Sequence, residues 1–149
     1  MRAVVQRVTA ASVTAADWTA RIDAGIVAFV GVERGDGPAD VEYIARKIRE
    51  MRIFGSSDSQ GFDRSIQETG GQVLVVSQFT LLADCRRGRR PSFDAAASPE
   101  VAKPLYESVV LELRHQGVTV ETGRFQAAMQ VSLTNDGPIT LLLDSRKRD

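Results

Sequence analysis

Seven consecutive residues, Ile26-Val27-Ala28-Phe29-Val30-Gly31-Val32, carry no polar side chain, and a run of that length reads as a central strand. The rest of the chain has to cover it. Upstream, residues 3–9 and 11–15 mix Val, Thr and Ala with short polar steps, so an antiparallel opening is expected to lead into the central strand. Downstream, Arg34-Gly35-Asp36-Gly37-Pro38 is turn chemistry. Val41, Ile44, Ala45 and Ile48 then recur at helical spacing, with Glu42, Arg46, Lys47 and Arg49 on the other side, which predicts an amphipathic helix lying on the sheet.

Gly55 to Arg64 is rich in Ser, Asp and Gly and reads as an exposed loop. Gly70-Gly71 turns the chain into a strand over Gln72 to Phe79. Ser98-Pro99-Glu100 is a helix start, with Ser as N-cap and Pro at the first helical position. Ala102, Leu105, Val109 and Leu113 form that helix's buried stripe, Pro104 predicts a slight kink or a late start, and Gly117 ends it. Val118 to Glu121, Phe125 to Leu133 and Ile139 to Asp144 read as three further strands. Strands outnumber helices, which predicts an α/β fold with the helices on one side of the sheet. With 149 residues and no linker or repeat, residues 1–149 are expected to form one domain, burying about 68–70% of the surface the unfolded chain exposes.

Composition narrows the function. Hydrophobic residues make up 43% and charged residues 26% of the chain, which excludes a disordered segment. The formal net charge is zero, so nucleic acid would have to be held by a local basic patch. The single Cys85 forms no internal disulfide, Arg2 and Arg7 interrupt any signal-like run, and no stretch is long enough to span a bilayer. A reducing, cytoplasmic setting is expected. The one histidine, His115, lies near a helix end away from other candidate groups, so a Ser-His-Asp triad is not expected. No Cys, His, Asp or Glu cluster has metal-ligand spacing. Neither metal nor cofactor is expected.

What remains are two short polar segments at strand ends, Ser77-Gln78-Phe79-Thr80 and Asn135-Asp136-Gly137-Pro138-Ile139-Thr140. Alone, the first reads as a strand end with surface hydroxyls and the second as a hairpin turn. Together, and in this order, they resemble the Ser-Gln-Phe-Thr and Asn-x-Gly-Pro-x-Thr motifs of the D-aminoacyl-tRNA deacylases. The opening Met1 to Val8, the Gly88-Arg89-Arg90-Pro91-Ser92-Phe93 segment and Gly123-Arg124-Phe125 carry the same resemblance. Two positions depart from the family pattern: Phe62-Asp63 stand where Met-Asn is expected, and Gln126 where Gly is expected.

The resemblance implies a three-layer α/β/β fold with mixed sheets and two main helices on one side. It also implies a homodimer whose active site is shared across subunits, and hydrolysis of the ester joining a D-amino acid to the 3' end of tRNA. In the family the Gly-Pro peptide is cis and enters the partner's site, so Gly137 and Pro138 would exclude L-amino acids, while glycyl-tRNA should still be cleaved. Phe125, Asn135 and Thr140 would line the substrate site. An aminoacyl ester is already activated, so the residues need only position it: backbone amides of Phe79 and Thr80 are expected to polarise the carbonyl, with Ser77, Gln78 and the Thr80 hydroxyl around it. Thr80 as nucleophile is the second possibility. Arg86, Arg87, Arg89 and Arg90 read either as a solvated loop or as contacts to tRNA phosphates. A non-catalytic RNA- or amino-acid-binding module on the same fold is the remaining alternative.

Overall fold

The computed structural model describes residues 1–56 and 61–148. Its strands are β1 (Arg2–Ala15), β2 (Trp18–Ile22), β3 (Gly25–Gly31), β4 (Gln72–Ser77), β5 (Thr119–Thr122) and β6 (Gln130–Asp144). Helix α1 spans Pro38–Glu50, α2 is the single turn Ile66–Thr69, and α3 spans Pro99–His115. One mixed sheet runs β2-β1-β3-β4-β5, with β6 also pairing with β1. β3, β4 and β5 are parallel to one another; every pairing of β1 is antiparallel.

The apolar run of β3 is covered on both faces. Ile26, Ala28 and Val30 face one core with Val73 and Val75 of β4, closed by Ile44 and Ile48 of α1 and by Val109 and Leu113 of α3. Val27, with Leu74 and Val76, faces a second core formed with Ala20 and Ile22 of β2 and Val8, Ala11 and Val13 of β1. The architecture is therefore helices, sheet and a second β layer. That second layer is not a separate sheet: the 14-residue β1 runs from one layer into the other, pairing with β3 along its first half and with β2 along its second.

Several boundaries differ from the sequence reading. Residues 3–9 and 11–15 are one strand, because β6 pairs with it nearly end to end. The strand β2 and the short α2 have no counterpart in that reading, and the strand expected to reach Phe79 stops at Ser77. Gly55 to Arg64 is bridged at its ends, where the Phe54 and Arg64 main chains exchange hydrogen bonds; residues 57–60 of that predicted loop lie outside the described residues. Helix α3 starts at Pro99 despite Pro104, and Ser98 occupies the N-cap position without a capping hydrogen bond from its side chain. The strands expected at Phe125 to Leu133 and Ile139 to Asp144 are a single strand, β6.

Glu33, buried beside the last turn of the chain, accepts hydrogen bonds from Arg146 and Arg148. The Arg148 guanidinium, helped by Arg146 and the Met1 ammonium and opposed by burial, holds the Glu33 carboxyl below the usual carboxylate range. A depressed folded-state value contributes stability above the unfolded value near pH 4, and this is lost as pH falls through the folded value. Thermal melts should therefore be flat from pH 7 to about 5 and fall below about pH 4. A Tm unchanged down to about pH 3 would contradict this assignment.

Candidate active site

β4 is buried along its length and delivers its C-terminal end to the surface. The Gln78 N–H still donates to the Val30 carbonyl at 2.8 Å, and the chain then turns into a 3-10 segment, Phe79–Leu82. The turn can form because β3 ends in glycine. A Cβ on Gly31 would lie 2.8 Å from the Gln78 carbonyl oxygen and 2.6 Å from Leu82 Cδ2. Gly31→Ala is thus expected to displace the Gln78–Leu82 turn and to lower turnover by about 10²-fold, the scale of a 1 Å misplacement. Far-UV circular dichroism should be retained. Parental turnover in a folded Gly31→Ala protein would refute the dependence.

A 3-10 turn leaves its first amides without partners. The Phe79 and Thr80 N–H groups donate to no other described residue, and both residues line a cleft of about 660 Å³ with Ser77, Gln78, Phe125 and Met129. Two adjacent free donors at a strand end are what a developing oxyanion requires. The Gln78 side chain donates from Nε2 to Thr80 Oγ1 at 2.6 Å. A carboxamide N–H cannot accept a proton, and its bond occupies a lone pair of the hydroxyl, leaving Thr80 Oγ1 free to donate outward. This favours positioning by Thr80 over nucleophilic attack. His115 is exposed at the far end of α3, and among the described residues no group of three or more His, Cys, Asp or Glu is arranged to hold a metal.

Phe79 is 56% exposed and meets Phe93 edge-on, with ring centroids 5.1 Å apart. Phe93 also lines the cleft and leads back into the basic loop, which is pinned by reciprocal main-chain hydrogen bonds between Asp84 and Ser92. The loop's arginines are not equivalent. Arg86 folds back onto Asp84 through two side-chain hydrogen bonds of 2.9 and 2.8 Å, and these hold the Asp84 carboxyl down at about 2. Arg87, Arg89 and Arg90 are exposed and form no ion pair with a described residue.

The second motif lies elsewhere. Thr140 pairs with Gln6 and Asn135 with Val8, so the four residues 136–139 bulge out opposite the single residue Arg7. Gly137 and Pro138 are exposed on this bulge, their peptide bond is cis, and neither lines the cleft of its own chain. Asn135 and Thr140 do not line it either. Asn135 Oδ1 accepts from the Ile139 N–H at 3.0 Å, while Asn135 Nδ2 and Gln6 Nε2 donate to Thr140 Oγ1 at 3.0 and 3.1 Å. Both motif side chains are spent on holding the Gly-Pro segment.

Arg7, which sequence reasoning passes over, supports the bulge from below. Its buried guanidinium donates to the Asp136 carbonyl at 3.2 Å and the Ile53 carbonyl at 2.8 Å, and lies 3.3 Å from the Asp136 carboxylate. The available signal is a charged residue inside the Val4-Val5-Val8 strand pattern. Tyr106, also missed, supports the cleft residue Phe125 from outside the cleft: its hydroxyl donates to the Val75 carbonyl at 3.0 Å and its ring centroid lies 5.9 Å from that of Phe125.

Comparison with known proteins places the chain in a family. A family model described as D-Tyr-tRNA(Tyr) deacylase matches residues 4–144. The chain is 53% identical over 149 residues to a D-aminoacyl-tRNA deacylase of Syntrophotalea carbinolica, with 99% of each chain covered. It is 55% identical over 148 residues to one of Syntrophobacter fumaroxidans, again with 99% of each covered. Among solved structures, one described as c-Myc DNA Unwinding Element Binding Protein superposes with a TM-score of 0.91 at 36% identity, covering 97% of this chain and 98% of that one. A probable eukaryotic D-amino acid tRNA deacylase superposes with a TM-score of 0.78 at 16% identity, covering 95% and 97%; at that identity the likeness concerns the fold alone.

Proposed function

Because the chain belongs to the D-Tyr-tRNA(Tyr) deacylase family, we propose that it hydrolyses the ester of D-aminoacyl-tRNA through main-chain positioning and polarisation, not through a reactive side chain. The observation that carries this mechanism is the pair of amides, Phe79 and Thr80, that donate to no described residue, on a cleft that no described titratable side chain lines. The ester carbonyl oxygen accepts from these two N–H groups. Water bonds to the carbonyl carbon, the bond to the ribose 3' oxygen breaks, and the water's proton passes to that oxygen directly or through the neighbouring 2'-hydroxyl. Thr80, fixed by Gln78, orients the substrate or the water.

Selection by handedness falls to Gly137 and Pro138 of a second copy of the chain, whose carbonyls hold the substrate amino group and leave no space for an L side chain. Two features support this reading: the Gly-Pro bulge is exposed and braced yet absent from its own cleft, and β6, which among the described residues pairs only with β1, carries Leu142 at 79% exposure. Glycyl-tRNA, lacking a side chain to exclude, is cleaved as well. Arg87, Arg89 and Arg90 meet phosphates of the acceptor end, so binding weakens with salt. Among the described residues no helix is long and apolar enough to cross a membrane, and a tRNA substrate suits a cytoplasmic protein.

Incubation with D-Tyr-tRNA and L-Tyr-tRNA tests the proposal. Release of D-tyrosine alone is expected; release of neither by the folded protein would favour a silent binding module.

A further inference from the structure

Gln126 is one of two described residues other than glycine with a positive φ, at 62°. It is the third residue of a turn closed by the Ala127 N–H donating to the Arg124 carbonyl at 3.2 Å, a position that glycine fills without strain. The turn is held at its first two residues. The Arg124 N–H meets Met129 Sδ at 3.3 Å, the Arg124 guanidinium pairs with Asp17 at 3.4 Å and lies over the Trp18 ring, and Phe125 packs on Tyr106. Such anchoring keeps a disfavoured side chain in place. The Gln126 side chain is exposed, makes no hydrogen bond to another described residue, and lines the same cleft as Phe79 and Thr80.

From this placement we infer that Gln126 is a specificity-determining residue that reads the base edge of the substrate's terminal adenosine. The inference rests on the deacylase reading of the cleft. The amino acid is the part of an aminoacyl-tRNA that varies, whereas the terminal nucleoside is the same on every tRNA, so a fixed hydrogen-bonding side chain is better matched to the nucleoside. A carboxamide can present one N–H donor and its carbonyl acceptor side by side, donating to adenine N7 and accepting from the N6 amino group. The exposed ring of Phe79 supplies an aromatic face on the same cleft for the base to stack on.

Gln126→Gly separates this role from a structural one, because glycine relieves the positive φ. The variant should melt about 2–4 °C higher and yet show a KM for D-Tyr-tRNA raised about fivefold or more, the low end for losing a bidentate base contact, with kcat within about twofold. Replacing the terminal adenosine by purine riboside, which lacks the 6-amino group, should raise KM for the parent protein and leave the Gln126→Gly protein indifferent. An unchanged KM in the stabilised variant would overturn the inference while leaving the deacylase reading intact, as would equal discrimination between the two terminal bases by both proteins. Inactivity of the parent protein on D-Tyr-tRNA would remove both.

Discussion

Gly137→Ala is expected to lower kcat/KM for D-Tyr-tRNA by about 10²-fold or more while leaving the monomer folded. A Cβ at this position would lie 2.8 Å from Ile139 Cγ1 and 2.9 Å from the Ile139 nitrogen, at a φ of 132° that L side chains rarely adopt. The residue must move. Because Asn135 and Arg7 clamp the segment from both sides, the movement is forced outward, where the Gly-Pro carbonyls would meet the substrate in a partner's cleft. The exposed bulge is not part of either core, so stability should change far less than activity.

Mixing variants makes this test specific for a shared site. A Gly137→Ala chain retains an intact cleft, and a Gly31→Ala chain retains an intact Gly-Pro bulge. If each site takes its cleft from one chain and its bulge from the other, a randomly paired mixture recovers roughly a quarter of parental activity, since half of the dimers carry one complete site. No recovery in a mixture shown to exchange subunits would place both halves of the site on one chain and end the cross-subunit proposal.

Asp36→Ala should be the most destabilising single substitution at a polar position, costing about 3–5 kcal/mol, or a Tm lower by about 10 °C. The Met1 ammonium lies 2.8 Å from the Asp36 carboxylate, and both groups are fully buried. Asp36 also accepts from the Glu33 N–H at 2.7 Å and meets Arg146 at 3.2 Å. Deleting the carboxylate leaves a buried ammonium with Ser145 Oγ, at 2.7 Å, as its remaining hydrogen-bond partner and only the more distant Glu33 and Asp40 carboxylates to offset its charge. A hydroxyl does not neutralise the charge. Differential scanning calorimetry of Asp36→Ala beside Asp23→Ala, whose ion pair with Arg21 is largely exposed on both sides, provides the comparison; a loss below about 2 °C for Asp36→Ala would show that the buried charge finds other compensation.

How far the sequence could be read depended on whether a signal was local. The two-faced burial of β3 follows from its seven apolar residues, and α1 from the spacing of Val41, Ile44, Ala45 and Ile48, because periodicity reports burial wherever one element packs on another. By contrast, Asn-Asp-Gly-Pro read alone is turn chemistry, and only pairing with Gln6 and Val8 on β1 turns it into a bulge within a continuous strand. The 3-10 turn at Phe79 was equally invisible. It depends on Gly31, which belongs to a different strand far back along the chain, and on the space that a missing Cβ leaves beside Gln78 and Leu82.

By itself the amino-acid order determined the α/β class, the amphipathic helices and, through its two motifs, the family. Those are properties of residue type and spacing along the chain. Tertiary structure alone decided that Asn135 and Thr140 brace a bulge, that Arg86 is spent on Asp84 while Arg87, Arg89 and Arg90 form no ion pair with a described residue, that Arg7 is buried under the Gly-Pro segment, and that Gln126 stands strained at the cleft. Each depends on how the folded backbone brings particular groups within reach of one another, and a hydrogen bond has no periodicity from which it can be foretold.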